Sequence, residues 1–162
     1  GNGMAKSELK LPAVDPWTVE SPPELSYPAP LEEHNAGVSR HPLGAATGLK
    51  NFGVNLTYLD PGATSSMRHW HHAQDEFVYI LDGEATLVTD GGEQVLGPGM
   101  ACGFPCASGD GHKLVNRSSS RVVMIEVGDR SPGDATTYPD DDVSAAEIDG
   151  EWVFMNKKGE RL

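Results

Sequence analysis

The sequence predicts an all-β fold, a sandwich or closed barrel of short strands. Three observations carry this expectation. Between residues 49 and 127, apolar residues alternate with polar or small ones in segments of four to eight, which is the period of a strand. Tight-turn signals separate the segments, among them Asp60-Pro61-Gly62, Asp82-Gly83, Asp90-Gly91-Gly92 and Gly97-Pro98-Gly99. The 19 Gly and 12 Pro of the 162 residues leave no uninterrupted stretch for a long helix.

Taken in order, residues 1–45 are rich in Pro and lack periodicity, so they read as an extended arm lying on the barrel or on a neighbouring subunit. Trp17 and Tyr27 are its expected anchors. Residues 46–130 form the barrel. Phe52, Val54, Leu56 and Tyr58 mark its first strand, followed by strands over 68–72, 76–81, 85–89, 93–96, 100–104, 112–116 and 122–127. Closure, or folding into a jelly roll, hides the edges that so many short strands would expose. Residues 131–162 read as a tail packing on the barrel. Within it, residues 143–148 suggest one or two helical turns, with Ser144 as cap and Glu147 three residues on; residues 152–155 read as a last strand.

The formal net charge is −12. Such a surface repels phosphate backbones and anionic lipid, which argues against nucleic acid and membrane as partners. No apolar run approaches the roughly 20 residues that span a bilayer. The polar opening, residues 1–10, does not resemble a signal peptide, so a cytoplasmic protein is expected. Cys102 and Cys106 are the only cysteines; they read as small packing residues rather than as a disulfide framework.

The chemistry concentrates in residues 61–84 and 99–116. His69 and His71 are two apart, so on a strand both imidazoles point to one face. Glu76 follows a four-residue turn and opens the next strand, which can return its carboxylate beside them. His112 opens a distant strand that a closed barrel can bring to the same point. Three imidazoles and one carboxylate suit a single divalent transition metal: Mn, Fe, Ni, Co or Zn. Four protein ligands on a six-coordinate ion leave two positions for water, substrate or dioxygen, as a catalytic site requires. His72 falls on the opposite face, Asp75 is the rival carboxylate, and His34 and His41 of the arm are read as non-ligands.

These residues resemble the cupin family. Gly62, His69, His71, Glu76 and Gly83 fill the first cupin motif, with one extra residue between Gly62 and His69. Gly99, Pro105, His112 and Asn116 fill the second, with Ala107 where that motif has glycine and two extra residues before His112. The stretch 49–128 is similar to small bacterial single-domain cupins of the sugar-phosphate-isomerase-like group. The resemblance implies a double-stranded β-helix, or jelly-roll barrel, and a metal on the four named side chains.

Val78 and Ile80 share the parity of Glu76, and Phe104 that of Cys102; these four are candidates for lining a substrate pocket or for ordinary core packing. Phe77, Tyr79 and Leu81 make the other face of the same strand apolar as well, which predicts a homodimer or a second covering sheet. Three functions compete. One is a metal-dependent isomerase of a small polar, sugar-like substrate, with a separate base that the sequence does not name. The others are an Fe(II) dioxygenase and a non-catalytic module that binds a small ligand. Arg68 and Lys113 flank the ligands and read as solvated surface charge.

Overall fold

Alternation in the sequence becomes strands in the computed structural model, which describes residues 8–22 and 27–162. The polar opening through residue 7, and Pro23 of the Pro-rich arm, lie outside the described residues. Twelve strands occur among them: β1 (Val38–Pro42), β2 (Phe52–Leu59), β3 (Trp70–His71), β4 (Glu76–Asp82), β5 (Ala85–Thr89), β6 (Gly92–Leu96), β7 (Ala101–Phe104), β8 (Lys113–Val115), β9 (Val122–Asp129), β10 (Ala135–Thr137), β11 (Ser144–Ile148) and β12 (Glu151–Met155). A four-residue helix, Leu43–Ala46, links β1 to β2. No helix among the described residues is long and apolar enough to cross a membrane.

The strands form a five-stranded antiparallel sheet in the order β1-β2-β9-β4-β7, a four-stranded sheet β12-β11-β10-β3 and a three-stranded sheet β6-β5-β8. Residues 63–69 stitch the two smaller sheets together. Thr64 bridges Val115, and His69 bridges His112. Along this stretch Ala63, Ser65, Met67 and His69 are buried while their neighbours are less so, the alternation of a strand with one wet face. The architecture is thus a jelly-roll β-barrel, a double-stranded β-helix.

The inner face of the large sheet grades from apolar to polar. At one end Leu59, Val122, Met124 and Ile80 have no exposed surface and pack against Ala85, Leu87 and Leu114 of the facing sheet. Each such Leu or Ile contributes about 1.5–3 kcal/mol by leaving water. At the other end the same face presents Arg40, Thr57, Glu126 and Glu76, and there the barrel opens into a cavity. Two motif residues make corners of the apolar end. Gly83 has a positive φ, and a Cβ there would lie 2.6 Å from the Arg121 carbonyl oxygen, so no side chain fits. Asn116 is fully buried; its Nδ2 donates to the carbonyls of Leu59 and Ser120, and its Oδ1 accepts from Ser118.

Three elements differ from the sequence reading. Residues 143–148 form no helical turn: Ser144–Ile148 is β11, paired on both sides by β10 and β12, with Val143 and Ala145 buried. Two ladders and a buried alternate residue outweigh a capping pattern whose local worth is small. Glu147 instead accepts a hydrogen bond from the Gly133 amide. The last residues of the arm, Val38–Pro42, pair with β2 along their whole length. Arg68 is no solvated charge either. Its side chain is 12% exposed and clamps three loops, meeting Asp140 at 2.8 Å, Asp90 at 2.5 Å and the Gly111 carbonyl at 3.1 Å.

The Arg68 guanidinium holds the Asp140 carboxyl below the usual carboxylate range. A depressed carboxyl stabilises the fold above its ordinary pKa, near 4, and loses that contribution as pH falls through the lowered value. With both carboxylates more than half exposed, water screens these pairs, and Arg68→Met is expected to cost no more than about 1 kcal/mol at pH 7 in urea unfolding. Asp140→Asn is expected to lower the melting temperature at pH 7, with the gap to the wild type closing at strongly acid pH.

Candidate metal centre

His69 and His112 face each other across an antiparallel bridge, with the His69 amide donating to the His112 carbonyl at 3.1 Å and the reverse bond at 2.9 Å. Directly paired residues project to the same side, so both imidazoles enter the barrel together. His71, two residues on, keeps that side; its backbone pairs with Thr136 of β10. Glu76 opens β4 in the opposite sheet and points across the interior at all three rings. Its Oε1 lies 3.5 Å from His69 Nε2, 3.4 Å from His71 Nε2 and 2.8 Å from His112 Nε2. Donor atoms of His69, His71 and Glu76 all lie within 4.8 Å of one another, a cluster that can hold a metal ion.

The surrounding hydrogen bonds fix the rings in the form a metal needs. His71 Nδ1 donates to Asp134 Oδ2 at 2.5 Å, and Asp134 is 1% exposed, with its Oδ1 accepting the Ala73 amide. His69 Nδ1 donates to the Met67 carbonyl at 2.8 Å. With the proton on Nδ1, each Nε2 offers its lone pair to the interior. His112 Nδ1 is buried without a hydrogen-bond partner; that ring is held by Phe104, stacked on it at 3.6 Å between centroids and 1° between planes.

Electrostatics favour a cation at this point. Burial opposes charge on Glu76, but the three imidazoles outweigh it and hold its pKa well below the carboxylate range. Burial likewise opposes a charged His71; the hydrogen bond and charge of Glu76, then of Asp134, outweigh it and raise its pKa to about 9. For His112 burial wins, and its pKa is lowered despite Glu76. Glu76 Oε1 is itself buried, and the side chains that face it are these imidazoles, the nearest being His112 Nε2 at 2.8 Å. A buried, ionised oxygen facing three imidazole nitrogens is a surrounding that a divalent ion satisfies.

The cluster forms the floor of a cavity of about 690 Å³. Of the four pocket candidates, Val78 and Phe104 line it, whereas Ile80 and Cys102 do not. Ile80 shares the face of Glu76 but lies four residues along the strand, roughly 13 Å away at 3.3 Å per residue, inside the apolar plug. Cys102 packs against that same plug. Both cysteines are free thiols. His72 points outward, is exposed and stacks on Trp70, and Asp75 turns away to accept the Cys106 amide. His41 is engaged with the Val19 carbonyl. Ala107, where the second motif has glycine, still takes a left-handed φ of 60°, and its amide donates to the His71 carbonyl, so the substituted loop holds the turn beside the site.

Several cavity residues escaped the sequence reading. Tyr138, Trp152 and Phe154 come from the tail, and Tyr27 and Arg40 from the arm; Asp134, also of the tail, is buried behind His71 and does not line the cavity. Nothing in their local sequence marks them, because only the pairing of β10 with β3 and of β1 with β2 brings them in. Tyr27 does anchor the arm, its hydroxyl accepting the Met67 amide at 3.1 Å, while Trp17 stacks on Tyr58. Glu126 carried a legible signal: it is the lone charge inside the apolar run 122–127.

A barrel of this topology with this cluster at its mouth defines a class of protein. The cupin-domain family model matches residues 55–128. A cupin-superfamily sugar phosphate isomerase from Silicibacter pomeroyi is 38% identical, with 93% of this chain and 96% of that one aligned and a TM-score of 0.89. The chain belongs to the cupin superfamily. A protein from Acidithiobacillus ferrooxidans, provisionally named a sugar phosphate isomerase, is 30% identical over 77% of this chain and 80% of its own, with a TM-score of 0.70. The polyketide cyclase RemF from Streptomyces resistomycificus, 20% identical over 75% of this chain and 82% of its own with a TM-score of 0.61, shares the fold. No curated protein matches.

Asp134 orients His71 and raises its basicity. Asp134→Asn is expected to weaken metal binding about 10- to 100-fold, read by competition with a chelating dye. An unchanged affinity would remove Asp134 from the site.

Proposed function

We propose that this chain is a metal-dependent enzyme acting on a small polar substrate of the sugar or sugar-phosphate kind, of isomerase type. One divalent transition metal is held by His69, His71, Glu76 and His112. The observation that carries this reading is the convergence of three Nε2 atoms on one buried carboxylate oxygen in a cavity at the open end of the barrel. The likeness at 38% identity to a structure named a sugar phosphate isomerase supports the substrate class.

When bound, the ion supplies Lewis-acid polarisation of a carbonyl and a grip on neighbouring oxygens. The protein's own groups do the rest. The Nδ1 bonds of His69 and His71 hold both rings in register, and Phe104 holds the third. Tyr27, Trp152 and Phe154 wall the cavity with aromatic surface suited to the C–H faces of a sugar, while Asn55 and Thr136 offer polar partners to hydroxyl groups. His71→Ala is expected to lose metal and melting temperature together, measured by elemental analysis of protein purified without added metal and by thermal scanning. Full occupancy in that variant would overturn the ligand set. In the wild type, sugar phosphates are expected to raise the melting temperature more than small carboxylic acids do.

The reading extends to a homodimer built on the outer face of the large sheet. Phe77, Tyr79 and Leu81 of β4 and Phe52 of β2 stand 39–46% exposed on that face, an apolar surface of the kind that subunits cover. Light scattering is expected to give twice the chain mass, and a Phe77→Asp/Leu81→Asp double variant the single mass. A wild-type monomer at micromolar concentration would remove this part of the reading.

A further inference from the structure

The register of the large sheet draws one diagonal line of polar side chains across its inner face. Arg40 on β1 pairs with Thr57 on β2; Asn55, two residues before Thr57, pairs with Glu126 on β9. Glu126 in turn pairs with Val78, two residues beyond the Glu76 that closes the metal cluster. Residues paired across antiparallel strands, and residues two apart along one, share a face. Glu126 and Glu76 therefore stand in the diagonal cross-strand relation, which separates residues by about 7–8 Å. The residue directly opposite Glu76 is Gly128, which has no side chain to fill the intervening space.

The carboxylate of Glu126 is held by one oxygen only. Oε1 accepts from Arg40 Nε at 2.8 Å and from Thr57 Oγ1 at 2.5 Å. Arg40 is itself tied down by its bond to the Ser65 carbonyl. Among the described residues nothing donates to Oε2, and Glu126 lines the cavity. A lone ion pair in such a position contributes little to stability, because its desolvation offsets its attraction. A carboxylate pinned through one oxygen, with the other turned to a cavity beside a metal cluster, is instead built to meet a ligand.

The geometry points to Glu126 as the proton-transferring carboxylate of this site, acting on a substrate seated over Gly128; this assignment rests on the isomerase reading above. Oε2 takes the proton from the hydroxyl-bearing carbon next to the substrate carbonyl. The C–H electron pair becomes the new C=C bond, and the carbonyl π pair moves onto oxygen to give an enediolate. The carboxylic acid so formed returns its proton to the former carbonyl carbon, while the hydroxyl proton passes to the neighbouring oxygen. Aldose becomes ketose with no change in atoms, charge or oxidation state overall. Arg40 and Thr57 are positioning residues that fix the carboxylate through Oε1.

The test compares wild type, Glu126→Gln and Glu126→Asp, each carrying the metal it purifies with. The probes are ribose 5-phosphate, glucose 6-phosphate, fructose 6-phosphate and dihydroxyacetone phosphate in D2O. Three quantities are read: loss of the proton NMR signal adjacent to the carbonyl, metal content, and the melting shift caused by the same sugars. Glu126→Gln is expected to slow exchange by about 10²–10⁴-fold with metal content and melting shift intact, and Glu126→Asp to recover part of the rate. Exchange in Glu126→Gln within about threefold of a wild type that exchanges overturns the assignment and leaves the isomerase reading standing. Parallel loss of metal and melting shift also overturns it, by making Glu126 a structural or binding residue. No exchange by the wild type, with the melting shift present, overturns the isomerase reading and this assignment with it.

Discussion

The two backbone bonds between His69 and His112 are the constraint on which the site depends. They join a strand from the first half of the barrel to one from the second, 43 positions apart in the chain, and close the seam between the two smaller sheets. Because a directly opposed pair projects to one side, the same two bonds place both imidazoles on the interior. His71 follows by strand period, and Glu76 answers from the facing sheet. Barrel closure and the histidine cluster share one cause: the cross-strand pair that seals the wall also brings the imidazoles together.

A cluster of this kind needs its polar cost met locally. The ionised Glu76 sits among imidazoles, His71 leans on a buried Asp134, and His69 leans on a main-chain carbonyl. Of these partners, Asp134 lies 63 residues from His71 in the chain, whereas the Met67 carbonyl is local to His69. The inner face of the large sheet divides this labour with packing. Leu59, Ile80, Val122 and Met124 pack into the core at one end, and Arg40, Thr57, Glu126 and Glu76 are left to the open end. The arm and the tail then finish the cavity, since the barrel strands alone would leave its aromatic wall unbuilt.

Much of this was legible before any coordinates. Strands β2, β4, β5 and β9 have alternation strong enough to read directly, and the spacing of His69 and His71 puts both imidazoles on one face by period, while Glu76 joins them through the cupin resemblance. The failures have physical causes. Residues 144–148 carry a helix-like local pattern that two β-ladders override. Arg68 looks like surface charge because its three partners lie 22, 43 and 72 residues away. Ile80 has the parity of a pocket residue but the wrong height on its strand, and parity carries no information about height.

By itself, the sequence determined what depends on short-range period and residue chemistry: an all-β fold, the shared face of His69 and His71, and the motif spacings whose resemblance to the cupins implied Glu76 and His112 as their companions. Only the tertiary structure decided which distant groups complete the site. Asp134 reaches His71, and Arg40, Glu126 and the aromatic wall reach the cavity, through pairing between segments far apart in the chain. Register is set by pairing across the whole sheet, and no local pattern of residues records it.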